Sequence, residues 1–127
     1  MSVNLKLFIC ISLLFLVYSC TKGNLKHERY INNNTASDTV VVINPDFDDA
    51  IDTIYPGYEA LIYSFETLDT EQGYEPCAWL GDTLIIKNLS GEHLNRSVKV
   101  EGHWTYSISG DLDRTQRCTF VITDDDF

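Results

Sequence analysis

From Tyr30 onward, hydrophobic and polar side chains alternate in short runs separated by turn-forming residues. Residues 39–43 (TVVVI) are a β-branched run, and residues 61–66 alternate with the two-residue period of a half-buried strand. Between these runs, Pro56 and Gly57 suit positions i+1 and i+2 of a type II turn. The pattern therefore predicts β-strands joined by tight turns.

The clearest alternation runs from residue 97 to residue 109 and predicts one long strand. Its apolar face, which we expect to lie in the core, carries Val98, Val100, Trp104, Tyr106 and Ile108. Gly102 interrupts this face, so we expect a bulge or bend there. A last strand is predicted over residues 116–123. Its core-facing positions are Cys118, Phe120 and Ile122.

No stretch after residue 20 shows a helical stripe of useful length. About seven or eight short strands in roughly 100 residues predict an all-β fold, which we interpret as an antiparallel β-sandwich. An immunoglobulin-like arrangement is one version of it, and a small closed β-barrel is the alternative. The length suffices for one domain and is too short for two.

The first 20 residues follow a different pattern. Lys6 and the amino terminus supply a modest positive charge, and residues 7–17 (LFICISLLFLV) are apolar except for Ser12. Such a run would rise only about 16 Å as a helix, roughly half of a bilayer's hydrocarbon core. It is therefore too short to span a membrane and is typical of a cleavable signal peptide. A buried core helix, the alternative, is disfavoured because the run has no polar face.

Residues 17–20 (VYSC) resemble the lipobox of a bacterial lipoprotein signal, in which Cys20 receives the lipid. The chain as a whole resembles the small envelope lipoproteins of unknown function that are common in Bacteroidota. Besides the lipobox, the resemblance rests on three short segments: residues 30–35 (YINNNT), 54–59 (IYPGYE) and 120–125 (FVITDD).

The resemblance implies a signal peptide over residues 1–19, a lipidated Cys20 with a tether to residue 29, and a β-sandwich domain over residues 30–127. The acyl chains would hold the protein to a membrane of the bacterial cell envelope, since two or more chains anchor stably. Members of that group that are exported to the cell surface often carry acidic residues just after the lipidated cysteine. Here the first acid is Glu28, which favours the periplasmic face of the outer membrane over the cell surface.

The formal net charge of −10 disfavours nucleic acid as a partner. Cysteine usage fits an extracytoplasmic protein, because Cys10 would leave with the signal and Cys20 would carry lipid. Cys77 and Cys118 then remain as one pair, for which a disulfide is the expectation outside the cytoplasm. Closing a loop of this length would stabilise the fold by about 4 kcal/mol in the entropy model. Two free buried thiols are the alternative.

Candidate metal ligands are sparse. Residues 46–52 could offer Ca²⁺ the carboxylates of Asp46, Asp48, Asp49 and Asp52. The stretch lacks the glycine and the terminal glutamate of an EF-hand loop, so a solvated acidic loop is the favoured interpretation. The three histidines are not spaced as zinc ligands. We therefore expect neither a metal nor another cofactor.

The resemblance also suggests O-glycosylation, because such bacteria modify Asp-Ser/Thr pairs that precede an apolar residue. Three threonines occupy that position: Thr39, Thr53 and Thr83. The structural alternative is that aspartate ends turns and threonine begins strands, which explains all three without sugar.

No catalytic motif is present: there is neither a Gly-x-Ser-x-Gly elbow nor a glycine-rich phosphate loop. We therefore expect a non-enzymatic module that binds a protein or glycan. Its exposed, ligand-facing aromatic residues would be those near turns, namely Tyr55, Tyr58 and Tyr74. One alternative is an acidic inhibitor that docks onto a basic envelope or host enzyme such as lysozyme. Another is an unrecognised hydrolase.

Overall fold

The computed structural model describes residues 23–47, 50–68, 75–81 and 84–127, which contain seven β-strands and no α-helix. The strands are β1 (Asn24–Asn33), β2 (Val40–Asn44), β3 (Ala50–Ile54), β4 (Glu59–Leu68), β5 (Ile85–Asn88), β6 (Trp104–Ser109) and β7 (Arg114–Ile122). They form a four-stranded sheet of order β4-β1-β7-β6 and a three-stranded sheet of order β3-β2-β5. The two sheets pack as a sandwich, so the predicted all-β fold is confirmed. No helix in the described part of the chain is long and apolar enough to cross a membrane.

The four-stranded sheet is mixed, whereas the sequence predicted antiparallel pairing throughout. β1 runs antiparallel to β4 but parallel to β7, while the three-stranded sheet is antiparallel. This order places the first strand in the middle of its sheet. In the immunoglobulin fold the first strand lies at a sheet edge, so the connectivity here is a different one. The sheets are open and stacked, and they do not close into a barrel.

The core lies between the two sheets and follows from the alternation of each strand. The four-stranded sheet contributes fully buried Ile31, Phe120 and Ile122. The three-stranded sheet contributes Val40, Val42, Ile54 and Ile86. Cys118 is also buried, so the predicted core face of the last strand is confirmed.

The domain begins earlier than residue 30. β1 starts at Asn24, and its inward positions Leu25 and His27 are buried among neighbouring strands. The prediction of a tether through residue 29 is therefore wrong over residues 24–29. The segment looked aperiodic because His27 and Arg29 occupy inward positions that an apolar pattern assigns to hydrophobic residues.

The strand predicted over residues 97–109 is present only in its second half. Residues Glu101–His103 form a 3₁₀ turn around Gly102, so the expected bend is a complete interruption of the strand. In β6, Trp104 is buried, but Tyr106 and Ile108 are 57% and 40% exposed. These two residues were predicted to be core, and that prediction is wrong. β6 is the edge strand of its sheet, so coverage of its inner face ends near Trp104.

The turn between β3 and β4 is as predicted. Gly57 has a φ of 81°, and the Tyr58 amide donates to the Tyr55 carbonyl at 3.0 Å. With Pro56 at position i+1 and glycine at i+2, these features define a type II turn.

Candidate ligand-binding cleft

A β-bulge in β4 directs two aromatic side chains toward the inner face of the four-stranded sheet. The β1–β4 register shifts between Arg29 and Tyr30, because Ile62 is an extra residue on β4. After the shift, Tyr63 lies opposite Arg29 and Phe65 lies opposite His27. Since His27 and Arg29 face inward, so do their aromatic partners.

Residues 75–81 pack against this inner face without regular secondary structure. The Cys77–Cys118 disulfide links them to β7 with a Cα–Cα distance of 5.5 Å, which confirms the predicted bridge. The buried Gln116 side chain makes two further bonds to the segment. It accepts a hydrogen bond from the Glu75 amide at 2.9 Å and donates one to the Glu75 carbonyl at 2.6 Å. The segment is therefore held covalently and through its backbone.

Two charged side chains complete the support of residues 75–81. Arg29 donates from Nε to the Cys77 carbonyl at 2.9 Å and from Nη2 to the Pro76 carbonyl at 2.8 Å. From the other side, the Glu101 carboxylate accepts the amides of Cys77 at 3.0 Å and Ala78 at 2.7 Å. Backbone groups outside any sheet thus find charged partners, which make the stronger class of hydrogen bond.

A cleft of about 340 Å³ opens between this segment, β1, β4 and the 3₁₀ turn Pro45–Phe47. We call it the aromatic cleft. It is lined by Arg29, Asp46, Phe47, Tyr63, Phe65, Trp79, Leu80 and Gly81. The Tyr63 ring is central: its centroid lies 5.6 Å from Phe47, 5.4 Å from Phe65 and 5.8 Å from Trp79. Phe47 is 48% exposed and forms the rim.

The polar groups of the cleft carry opposite charges. The Arg29 guanidinium lies 5.5 Å from the Tyr63 ring centroid and 5.9 Å from that of Phe65. Burial lowers the pKa of Arg29, an effect opposed by Tyr63 and by the charges of Glu101 and Glu75, and an arginine remains protonated regardless.

The acidic group of the cleft is Asp46. A Cβ built on Gly81 would lie 2.0 Å from Oδ2 of Asp46 and 3.1 Å from Nε1 of Trp79, so the carboxylate and the indole N–H meet over this glycine. A side chain at position 81 would therefore force the Asp46 carboxylate to move.

His27 forms the base of the aromatic cluster. Its ring stacks on Phe65 with centroids 4.4 Å apart and an interplanar angle of 15°, and Nε2 lies 3.3 Å from Oγ1 of Thr67. Burial lowers the pKa of His27, and this outweighs the opposing charge of Glu75 and a hydrogen bond with Gln116. The ring is therefore neutral in the folded protein at neutral pH.

The aromatic residues predicted to face a ligand lie elsewhere. Tyr55 and Tyr58 flank the β3–β4 turn and are exposed, as expected, but they do not line the aromatic cleft. Tyr74 lies outside the described residues. The cleft instead uses aromatic side chains of β4 and of two non-strand segments.

The candidate calcium ligands do not form a group in the described residues. Asp46 lines the aromatic cleft and Asp52 is half-buried on β3, while Asp48 and Asp49 lie outside the described part. Within the described ranges, no three histidine, cysteine, aspartate or glutamate side chains converge as a metal site.

The candidate modification sites differ in exposure. Thr53 is exposed on β3, Thr39 is half-buried just before β2, and Thr83 is outside the described residues. The signal peptide and Cys20 also lie outside them.

A larger groove of about 450 Å³ runs beside β5 and is mainly aliphatic. Arg96 in this groove is already paired with the Asp126 carboxylate: Nη2 donates to Oδ2 at 2.6 Å, and Nε pairs with Oδ1. The described lining of this groove holds no phenylalanine, tyrosine or tryptophan, whereas that of the aromatic cleft holds four such residues.

Sequence reasoning missed most of the cleft. Arg29, Phe47 and Trp79 come from three separate segments. Contacts between residues distant in sequence bring them together, among them the disulfide and the hydrogen bonds from Arg29 to the carbonyls of residues 76 and 77. One usable signal was present: a charged residue at the inward position of an alternating strand marks a group that needs buried partners.

No family model, curated protein or solved structure matches this chain. The functional inference therefore depends on the cleft itself. Aromatic faces, one guanidinium and one carboxylate suit a small ligand that has both apolar and hydrogen-bonding surfaces.

Proposed function

We propose that this protein is a non-catalytic binding module and that its aromatic cleft binds a glycan. The observation that carries the proposal is the grouping of Phe47, Tyr63 and Phe65 beside Arg29 and Asp46. A sugar ring presents an apolar C–H face together with a rim of hydroxyl groups. The aromatic rings supply contact area for the first, while the guanidinium and the carboxylate supply a donor and an acceptor for the second.

The dimensions of the cleft also favour a glycan over a folded protein. A volume of about 340 Å³ lies at the small end of ligand pockets, and a stable protein interface needs a broad surface. The Arg29 side chain is already fixed by its hydrogen bonds to the carbonyls of Cys77 and Pro76, so binding costs little ordering of this side chain.

The test is titration of the purified protein with soluble chitin, cellulose and mannan oligomers, with tryptophan fluorescence as the readout of binding. Trp79 lines the cleft, so a bound sugar changes its emission. Phe47→Ala removes a rim aromatic and should weaken binding about tenfold, the upper range for one aromatic contact. Tyr58→Ala removes an exposed aromatic outside the cleft and should leave affinity unchanged. The proposal would be contradicted if none of these oligomers changed the fluorescence of the wild type, or if Phe47→Ala bound with wild-type affinity.

We also propose that Cys20 carries a lipid that anchors the protein at the periplasmic face of the outer membrane. The support is the apolar run over residues 7–17 and the lipobox pattern that ends at Cys20. Intact mass of the native protein should show a chain that begins at Cys20 with added acyl mass. Cys20→Ala should abolish membrane fractionation. Retention of the first nineteen residues with an unmodified sulfur would refute the anchor.

A further inference from the structure

The chain enters the sandwich between two exposed leucines. At the start of β1, Asn24 lies opposite Leu68, the last residue of β4. On the other side, the backbone of Gly23 packs closely against Leu112, in the loop between β6 and β7. A Cβ built on Gly23 would lie only 1.6 Å from the Leu112 carbonyl oxygen. The Asn24 amide also donates to Oδ1 of Asp113 at 3.0 Å. Both leucines therefore flank Gly23 and Asn24, where the described part of the chain begins.

Both leucine side chains project into solvent: Leu68 is 68% exposed and Leu112 is 53% exposed. Leu89 is 73% exposed but follows β5. The position of β5 follows from its pairing: Asn88, its last residue, pairs with Val40, and Val40 pairs with Ile54. The Ile54 carbonyl accepts a hydrogen bond from the side chain of Asn33, the last residue of β1. Leu89 thus belongs to the end of the sandwich where β1 finishes.

We propose that the end of the sandwich at which β1 begins rests on the bilayer surface, with Leu68 and Leu112 in the boundary between headgroups and acyl chains. This inference depends on the proposed lipidation of Cys20. Four Cα steps separate Cys20 from Asn24, so their separation is at most about 14 Å. A lipid in the membrane therefore keeps this end of the domain within reach of the interface, where exposed leucines gain by leaving water.

The charges at this end select the kind of surface. Asp111 and Asp113 flank Leu112, and the whole chain has a net charge of −10. Two cations, Arg114 and Lys26, lie at the same end, and Lys26 is paired with Glu28 at 2.7 Å, so the loop keeps an excess of negative charge. Anionic headgroups would repel this loop, so the surface fits zwitterionic lipid such as phosphatidylethanolamine.

The experiment uses the mature lipidated protein, purified from membranes and reconstituted into phosphatidylethanolamine–phosphatidylcholine vesicles. Single Leu68→Cys, Leu112→Cys and Leu89→Cys variants receive an environment-sensitive fluorophore, since both native domain cysteines are consumed by the disulfide. We expect labels at 68 and 112 to shift to the blue, to be quenched by lipid-attached quenchers, and to be several-fold less accessible to iodide than the label at 89. Adding phosphatidylglycerol should reduce this difference.

Equal iodide accessibility at all three positions on vesicle-bound, lipidated protein would overturn membrane contact while leaving the anchor intact. An unlipidated Cys20 with protein free in solution would instead refute the anchor and, with it, this inference. Circular dichroism of each labelled variant confirms the fold. If a cysteine variant does not fold, hydrogen exchange of the wild-type protein tests the same contact. The β6–β7 loop should be more protected from exchange on vesicles than in detergent, and equal exchange would overturn membrane contact.

Discussion

Asn33 shows how a residue typical of turns can link the two sheets. It is fully buried at the end of β1, where its side chain makes four hydrogen bonds. Nδ2 donates to the carbonyls of Asp38 and Ile54 at 2.7 and 2.8 Å, and Oδ1 accepts from the amide and the hydroxyl of Thr35 at 3.1 and 2.8 Å. These four hydrogen bonds are the full capacity of an amide side chain.

We expect Asn33→Ala to destabilise the protein by about 3 kcal/mol, because it leaves several buried polar groups without partners. The free energy of unfolding in urea measures the effect. The neighbouring Asn34→Ala changes an exposed side chain and should have little effect. Equal stabilities of the two variants would show that the amide network contributes nothing.

His27 should make stability depend on pH. Since burial lowers its pKa in the folded state, the unfolded chain takes up a proton first as the pH falls below the ordinary histidine value of about 6.5. The free energy of unfolding is therefore fully retained above that pH, and it declines until the lowered pKa of the folded state is reached. His27→Gln should flatten this decline, whereas His93→Gln, at an exposed position, should preserve it. Urea unfolding at a series of pH values decides between these outcomes.

At the scale of the elements, the alternation of apolar and polar residues predicted the direction of the side chains better than it predicted their burial. Tyr106 lies opposite Cys118 on the inner face, as the pattern required. It is nevertheless exposed, because the number of strands and the edge position of β6 decide coverage, and neither can be read from local periodicity. The bulge at Ile62 has no local sequence signal at all, and without it the aromatic face of β4 cannot be predicted.

The disulfide stabilises an element that has no secondary structure of its own. A variant with Cys77→Ala and Cys118→Ala should lose about 4 kcal/mol of unfolding free energy, given the sequence separation of 41 residues. It should also lose oligosaccharide binding, because residues 75–81 carry one wall of the aromatic cleft. Wild-type protein under reducing conditions should match the variant in both measurements. Unaltered melting after reduction would contradict this role.

For the whole molecule, the decisive feature is the central pair of β1 and β7. Each residue from Leu25 to Asn33 has a partner on the last strand of the chain, and β7 in turn holds β6. A chain that ends at residue 113 lacks a central strand and should not fold. Removal of residues 1–19 leaves every described strand in place and should preserve the circular-dichroism spectrum. A folded, cooperatively melting truncation at residue 113 would show that the sheet does not need its central strand.

The parallel neighbours β1 and β7 also set the order of events during synthesis. Asn24 and its partner Asp113 are 89 residues apart, so β1 has no parallel neighbour until residues 114–122 have been synthesised. The central pair of the four-stranded sheet therefore forms late, after the other six described strands have been synthesised.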